Sequence, residues 1–541
     1  MPSPEHWKTQ TRLPRGKVDA WRRERDAETL AAYLEDAAHT PGGHSPEICF
    51  PANEAEVAAV LAGGIPVLAI GAQSSLTGGA TPFGEVLLST SRMRQSSIAN
   101  GRARAGAGLL LRELEESVAA ANAYFPPVPT YDGASVGGVI ATCAAGAATF
   151  KHGTTRGWVQ ELTVVLACGE VLEIERGQVT SHPRGYFEVE RTSSEVLRIP
   201  VPLGAHPDVP KSSAGYWTQR PLDLIDLFIG AEGTLGVVVE AVLRLSSPRP
   251  SWLAVLVPVA DDAAAVALTT ELREEARSAH RTGNPCGLDV SAIEYMDARS
   301  LQVLREDGVA ERVGVTLPAS ARALLLIQAE LPAGFDRARA YHELSESYAA
   351  DIDGPVVRLC RILERHGVLA DAVPALPGEE DRRRALFALR EAVPEGVNRR
   401  VREVQRSGAA RVSKSGGDVI VPFERFEESL QRYRALLAEA GLDAAIWGHI
   451  SDGNVHPNIL ARSDRDMDHA RQTQLAIGEV AIALGGSPMA EHGTGRNPIK
   501  KALLEKLHGK AGVASMRMVK RCLDPHWQLA PGVLFDLEET R

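Results

Sequence analysis

Pro66-Val67-Leu68-Ala69-Ile70 runs straight into Gly71-Ala72-Gln73-Ser74-Ser75-Leu76-Thr77-Gly78-Gly79, a short apolar strand opening into a loop of small and hydroxyl-bearing residues. Successive backbone N–H groups in such a loop form a nest for an anionic group such as a pyrophosphate, and bulkier side chains would block its approach. Two more clusters follow: Gly133-Ala134-Ser135-Val136-Gly137-Gly138, which precedes Ala141-Thr142-Cys143-Ala144-Ala145-Gly146, and Gly230-Ala231-Glu232-Gly233-Thr234-Leu235-Gly236. Turns and close packing account for any one of them, whereas three in one half of the chain point to a cofactor cradle. It is not a Rossmann or P-loop cradle: Gly106-Ala107-Gly108 puts Leu111 at the third glycine position, and no GxxxxGK[ST] occurs.

Working outward, residues 51 to 245 alternate glycine turns with β-branched runs that predict strands at Ile65–Ile70, Val86–Ser89, Leu162–Ala167, Val171–Ile174 and Val237–Leu245, with helices at Glu54–Ala62 and Leu109–Ala121. Ser247-Pro248-Arg249-Pro250-Ser251 fixes an extended backbone and marks a junction. Beyond it, helices are predicted at Val266–Ala279 and Arg337–Ala350. Phe423, Phe426, Leu430, Tyr433 and Leu437 form a core stripe at helical spacing. Strands at Trp252–Val259, Ala323–Ala329, Val419–Val421 and around Trp447 predict a mainly antiparallel sheet with helices on one face.

The 541 residues suffice for several units, and 44% hydrophobic with 24% charged residues describes an ordinary globular protein. Lys and Arg total 59 against 69 Asp and Glu, a net charge of -10 without a dense basic block, which argues against a nucleic-acid partner. The six cysteines are scattered with no CxxC pair, so neither a zinc ribbon nor an iron-sulfur cluster is expected, and a cytoplasmic location fits. Peripheral attachment to the inner membrane stays open. The first 26 residues lack a signal-peptide apolar core, and no run approaches the ~18 apolar residues of a transmembrane segment.

The second centre of interest is Ala445-Ile446-Trp447-Gly448-His449-Ile450-Ser451-Asp452-Gly453-Asn454-Val455-His456-Pro457-Asn458. Asp-Gly favours a two-residue type I′ hairpin turn, and a turn centred there sets His449 opposite His456, close enough for two imidazoles to share a metal ion. Glu491-His492-Gly493-Thr494-Gly495 offers a third ligand. Two His and one Glu with open positions suit Zn(II), Mn(II) or Fe(II), with no choice among them.

Taken together, these motifs, with Lys151-His152-Gly153-Thr154-Thr155-Arg156 and residues 229–237, resemble the FAD-dependent D-2-hydroxyacid dehydrogenases of the vanillyl-alcohol oxidase and p-cresol methylhydroxylase superfamily, over roughly Ile48 to Asp536. The resemblance implies an α+β chain: a two-subdomain FAD-binding domain of p-cresol methylhydroxylase type, and a substrate domain with a helix-covered, mainly antiparallel, ferredoxin-like sheet. The corresponding units are an N-terminal extension (1–40), the FAD domain (41–248), the substrate and metal domain (249–505) and a segment returning to the flavin (506–541).

The resemblance further implies flavin contacts at Gly71, Ala72, Gln73, Ser74, Ser75, Gly78, Gly79, Ala134, Ser135, Gly137, Gly138, Thr142, Ala144, Gly146, Gly153, Glu232, Gly233, Gly236 and Val237. It implies a divalent metal (Zn, or Mn or Fe) at His449, His456 and Glu491, with His492 as the catalytic base. Substrate contacts fall to His449, His492, Arg390, on a helix over Arg382–Val393, and Lys414. Three positions depart from the family pattern: Ala530 and Cys143 replace asparagines, and Pro394 stands where a threonine is expected. Gln73, Ser74 and Ser75 supply no His or Cys for a covalent flavin bond, so the FAD is expected to be non-covalent.

The activity so implied is oxidation of a D-2-hydroxy acid, such as D-lactate, glycolate or D-2-hydroxyglutarate, to the 2-oxo acid, with electrons passed to a separate quinone, cytochrome or electron-transfer flavoprotein. A homodimer stays open. An oxygen-using alcohol or phenol oxidase is disfavoured by an aromatic content of only 5%. A metal-dependent hydrolase would explain the histidine hairpin but leave the three glycine loops unused.

Overall fold

The structure is a computed structural model that describes residues 6–18, 21–127, 131–345, 352–408 and 412–537. The chain is α+β, as expected. Its first part carries a four-stranded sheet in the order Arg22–Glu24, Ile48–Phe50, Val86–Ser89, Val67–Ile70, the last three strands parallel. Ile48–Phe50 and Val86–Ser89 are buried along their whole length, the near-continuous apolar reading that parallel strands covered on both faces require. A five-stranded antiparallel sheet lies beside it, with Val237–Arg244 at its centre between Arg102–Gly106 and Val159–Val165. The N-terminal residues are woven in: Lys8–Gln10 pairs in parallel with Tyr186–Glu190.

The second part is one eight-stranded sheet whose pairings are all antiparallel, in the order Val373–Ala375, Ser251–Val259, Ala323–Leu331, Val290–Met296, Ala444–His449, Asn454–Ile459, Ser415–Gly416, with Val419–Ile420 also on Asn454–Ile459. Helices cover both faces rather than one. Leu253, Val255 and Val257 pack with Leu268 and Leu272 of helix Asp262–Thr282, whereas Ala254 and Leu256 pack with Leu301, Leu386 and Leu389. The run Ala323–Leu331 is apolar at nearly every position, which a sheet with one wet face would not tolerate.

Two helices differ from the sequence reading. Helix Glu380–Arg406 runs through Pro394 instead of stopping at Val393, because Leu386, Leu389, Val393, Val397 and Val401 bury one face on both sides of the proline. The helix expected over 337–350 is described for Arg337–Ser345, and residues 346–350 lie outside the described residues.

The chain rejoins the first core by Met489, ahead of residue 506, and helix Pro498–Leu523 contributes Leu503, Leu504, Met516, Val519 and Leu523. The last described residues then edge the strand that feeds the first glycine loop: Val67 N donates to Gln528 O and Ala530 N to Val67 O, both at 2.8 Å. Lys520, 1% exposed, holds this return, with Nζ donating to Thr234 O (2.7 Å), Leu529 O (2.8 Å) and the buried Asp524 carboxylate. Lys520→Met leaves that carboxylate uncompensated and is expected to lower stability by about 3–5 kcal/mol. An unchanged urea midpoint would show that the return is not held this way.

Among the described residues, no helix is long and apolar enough to cross a membrane.

Candidate active site

The three glycine loops meet around one cleft with about 1500 Å³ of atom-free space, its open mouth included. All the predicted cofactor residues line it except Gly78, Gly146 and Gly153. Those three serve the backbone. Gly78 turns at φ +73°, the Gly146 carbonyl accepts from Thr149 Oγ1 at 2.7 Å, and Gly153 ends the short helix Thr149–His152. The loops also approach one another too closely for side chains: a Cβ on Gly71 would lie 2.0 Å from Ser135 Oγ. Gly233, by contrast, has nothing within 4 Å of such a Cβ, so its place on the wall stays open to a flat ligand.

Lys151 and His152 lie away from the cleft wall. Lys151 Nζ reaches Asp289 at 2.6 Å and Glu330 at 2.5 Å, and His152 Nε2 reaches Glu330 at 2.6 Å, joining the first core to the eight-stranded sheet.

The cleft wall also includes Glu491 and His492, which belong to the histidine cluster as well. The hairpin that presents this cluster is not the two-residue turn expected. Ile450–Asp452 makes a 3₁₀ turn closed by Gly453 at φ +88°, so His449 pairs with Asn454 and His456 with Trp447. A Cβ on Gly453 would lie 2.2 Å from Val421 O, so the neighbouring Val419–Val421 segment packs directly against the loop and requires glycine there. The slip is two residues, and an even slip keeps every side chain on its face. His449 and His456 are therefore diagonal neighbours with ring centroids 5.6 Å apart.

Glu491 Oε1 is the hub, 3.4 Å from His449 Nε2, 3.3 Å from His456 Nε2 and 3.5 Å from His492 Nε2. Its Oε2 accepts from Lys211 Nζ at 2.9 Å, and Lys211, fully buried, also reaches Asp452 at 3.0 Å. Burial would raise the Glu491 carboxyl, but Lys211 and the histidines hold it well below the usual range. The ligand atoms of Asp418, His456, Glu491 and His492 lie within 4.8 Å of one another. His449 Nδ1 and Nε2 and His456 Nδ1 are buried and make no well-aligned hydrogen bond, although carboxylate oxygens stand 3.1, 3.4 and 3.6 Å from them; burial would push His449 down, but Glu294 and Glu491 raise it to about 9. This donor set of nitrogen and carboxylate oxygen fits a divalent metal.

His492 is pushed down to about 4, chiefly by burial, with Asp418 pulling the other way, so it is neutral and able to accept a proton at pH 7. Glu294, opposite His449 in register, stands 3.1 Å from His449 Nδ1 and accepts from Arg390 Nε at 2.8 Å. Burial would raise it, but Arg390 and His449 bring it down to about 2. Arg390 is thus buried at the site with one guanidinium edge committed to Glu294. Lys414, half-buried and pushed down by desolvation, has no ion-pair partner among the described residues.

Lys211, Glu294 and Asp418 as site residues escaped the sequence reading. Only Asp418 carried a local signal, following Gly416-Gly417 just ahead of the buried strand Val419–Ile420.

Comparison with known proteins bears on this arrangement. Residues 260–534 match the family described as FAD linked oxidases, C-terminal domain, and residues 46–175 match the FAD binding domain. The D-lactate dehydrogenase of Archaeoglobus fulgidus is 28% identical, with 89% of each chain covered. The D-2-hydroxyglutarate dehydrogenase of Xanthomonas citri pv. viticola is 27% identical over 91% of this chain and 90% of its own. In fold, the chain is similar to a solved alkyldihydroxyacetonephosphate synthase, with a TM-score of 0.59 at 14% identity over 94% of this chain and 82% of that one.

Proposed function

Starting from the chain's membership of the FAD-linked oxidases, which makes it an FAD-dependent oxidoreductase, we propose that it oxidises a D-2-hydroxy acid to the 2-oxo acid with the help of a divalent metal. The observation that carries this reading is that Glu491 and His492 at once line the cofactor cleft and belong to the histidine–carboxylate cluster. The two relatives quoted above, named for D-lactate and D-2-hydroxyglutarate, have that substrate class in common.

FAD would lie along the loops at 71–79, 134–144 and 232–237, held without a covalent bond, and when bound it supplies the acceptor for the hydride leaving the substrate Cα. A metal held by His449, His456 and Glu491 would supply acidity to the substrate hydroxyl. His492 Nε2 takes the hydroxyl proton, and Arg390 and Lys414 present cations to carboxylate. Electrons then leave to a separate carrier: a quinone, a cytochrome or an electron-transfer flavoprotein.

The test is the visible spectrum of the purified protein, followed anaerobically as D-lactate, glycolate, D-2-hydroxyglutarate and the L-enantiomers of the chiral acids are added. Bleaching of the flavin band by a D-acid supports the reading. A flavin band that none of these acids bleaches sends the search to other alcohols. His456→Ala is expected to lower the bound metal, read by elemental analysis; full occupancy in that variant would remove His456 from the ligand set.

A further inference from the structure

Residues 490–496, between helices Asp464–Ala483 and Pro498–Leu523, form no helix or strand of their own. Each of their amides is nevertheless held by another part of the chain. The Ala490, Glu491 and His492 amides donate to Asp418 Oδ2 at 3.2, 3.0 and 2.8 Å, which fixes this end to the eight-stranded sheet. The other end is fixed to the first part of the chain. Gly493 N donates to Ser213 Oγ at 3.0 Å, Thr494 N to Glu232 Oε1 and Gly495 N to Glu232 Oε2, both at 2.8 Å, and Arg496 N to Thr77 O at 3.0 Å. His492 stands where the two sets of anchors meet, and Glu232, itself on the cleft wall, supplies two of those on the cofactor side.

The backbone at Glu232 is one that favours glycine. The chain is left-handed at Gly230 (φ +85°), Glu232 (φ +51°) and Gly233 (φ +72°), and only the middle one of these carries a side chain. A side chain kept in such a conformation is held by its contacts, and here those contacts are the two amides. They also explain the glycine that follows His492: a Cβ on Gly493 would lie 2.9 Å from Glu232 Cδ and Oε1. We propose that Glu232 is a positioning residue that clamps the His492 loop onto the cofactor cleft and so fixes the base relative to the flavin. The proton and the hydride leave neighbouring atoms of one substrate, so base and flavin must be held in register with each other. The kinetic part of this inference rests on the proposed function above; the clamp itself does not.

Glu232→Gln keeps the shape and the left-handed backbone but turns one oxygen into an NH₂ group facing an amide N–H, so one of the two bonds is lost. The experiment uses FAD-loaded protein with FAD in excess at pH 8.5, above the value of about 7 to which burial pushes the Glu232 carboxyl against the pull of the two amides. Hydrogen–deuterium exchange at Thr494 and Gly495 is expected to quicken about 10-fold or more, with the rise confined to this loop. Unchanged exchange overturns the proposal, and so does a rise spread over both cores, which would mean general loosening.

Flavin reduction by the acid that bleaches the wild type is expected to slow about 10²-fold with the substrate Kd unchanged. In a His492→Asn background the same change should slow it no further, because a clamp that acts through His492 has nothing left to place. Equal losses in the two backgrounds would make Glu232 a residue that acts on the flavin directly and overturn the proposal. If no acid reduces the flavin, or the flavin of His492→Asn is reduced at the wild-type rate, it is the proposed function that fails, and the exchange still decides whether Glu232 clamps the loop.

Discussion

Replacing His492 by Asn is expected to slow substrate-driven flavin reduction by about 10²–10⁴-fold, the range that a positioned general base contributes, while flavin content stays intact. Asn fills similar space but cannot take a proton at neutral pH. His492 is one residue of a cleft wall made mostly by the glycine loops, so the loss should fall on chemistry and not on flavin binding. The pH dependence distinguishes this base from an ordinary histidine. His492 accepts a proton only when unprotonated, and it is pushed down from 6.5 to about 4. The wild-type rate should therefore hold as pH falls through 6.5 and drop only toward 4, as followed by anaerobic stopped-flow absorbance. A rate in His492→Asn equal to that of the wild type would exclude this residue as the base.

Lys211→Met is expected to produce a large loss of stability. Burial alone would push the Lys211 ammonium down, but Asp452 and Glu491 hold it up. Removing one partner of such a buried set leaves the others uncompensated, at a cost of about 3–5 kcal/mol. Lys211 arrives on the stretch that packs Ala214 and Tyr216 into the first core, whereas Asp452 belongs to the hairpin of the second sheet. The variant should thus loosen the hairpin and the cleft wall together, lowering the urea midpoint. Adding Asp452→Asn to Lys211→Met should recover part of the loss; no recovery would mean that Lys211 acts through Glu491 alone.

The cofactor loops were legible because their constraint is local: a loop that must come within contact of another backbone, as Gly71 does at Ser135, needs glycine in the sequence itself. The hairpin was legible as a pair of strands but not in its register. Asp-Gly closes a 3₁₀ turn here in place of the tight turn, with Val421, some thirty residues upstream, packed directly against Gly453. The face of the histidines survived only because the slip was even. Lys211 could not be found at all, since its carboxylate partner Glu491 is 280 positions away and nothing beside it announces a buried cation. Pro394 misled for the opposite reason: a strong local signal was overruled by burial on both sides of it.

The backbone pairing between Val67 and residues 528–530 also sets an order of assembly. The strand that feeds the first glycine loop is synthesised about 460 residues ahead of its edge partner. The nascent chain must hold an unfinished sheet edge until residues 528–530 are made, and exposed edges invite wrong pairings.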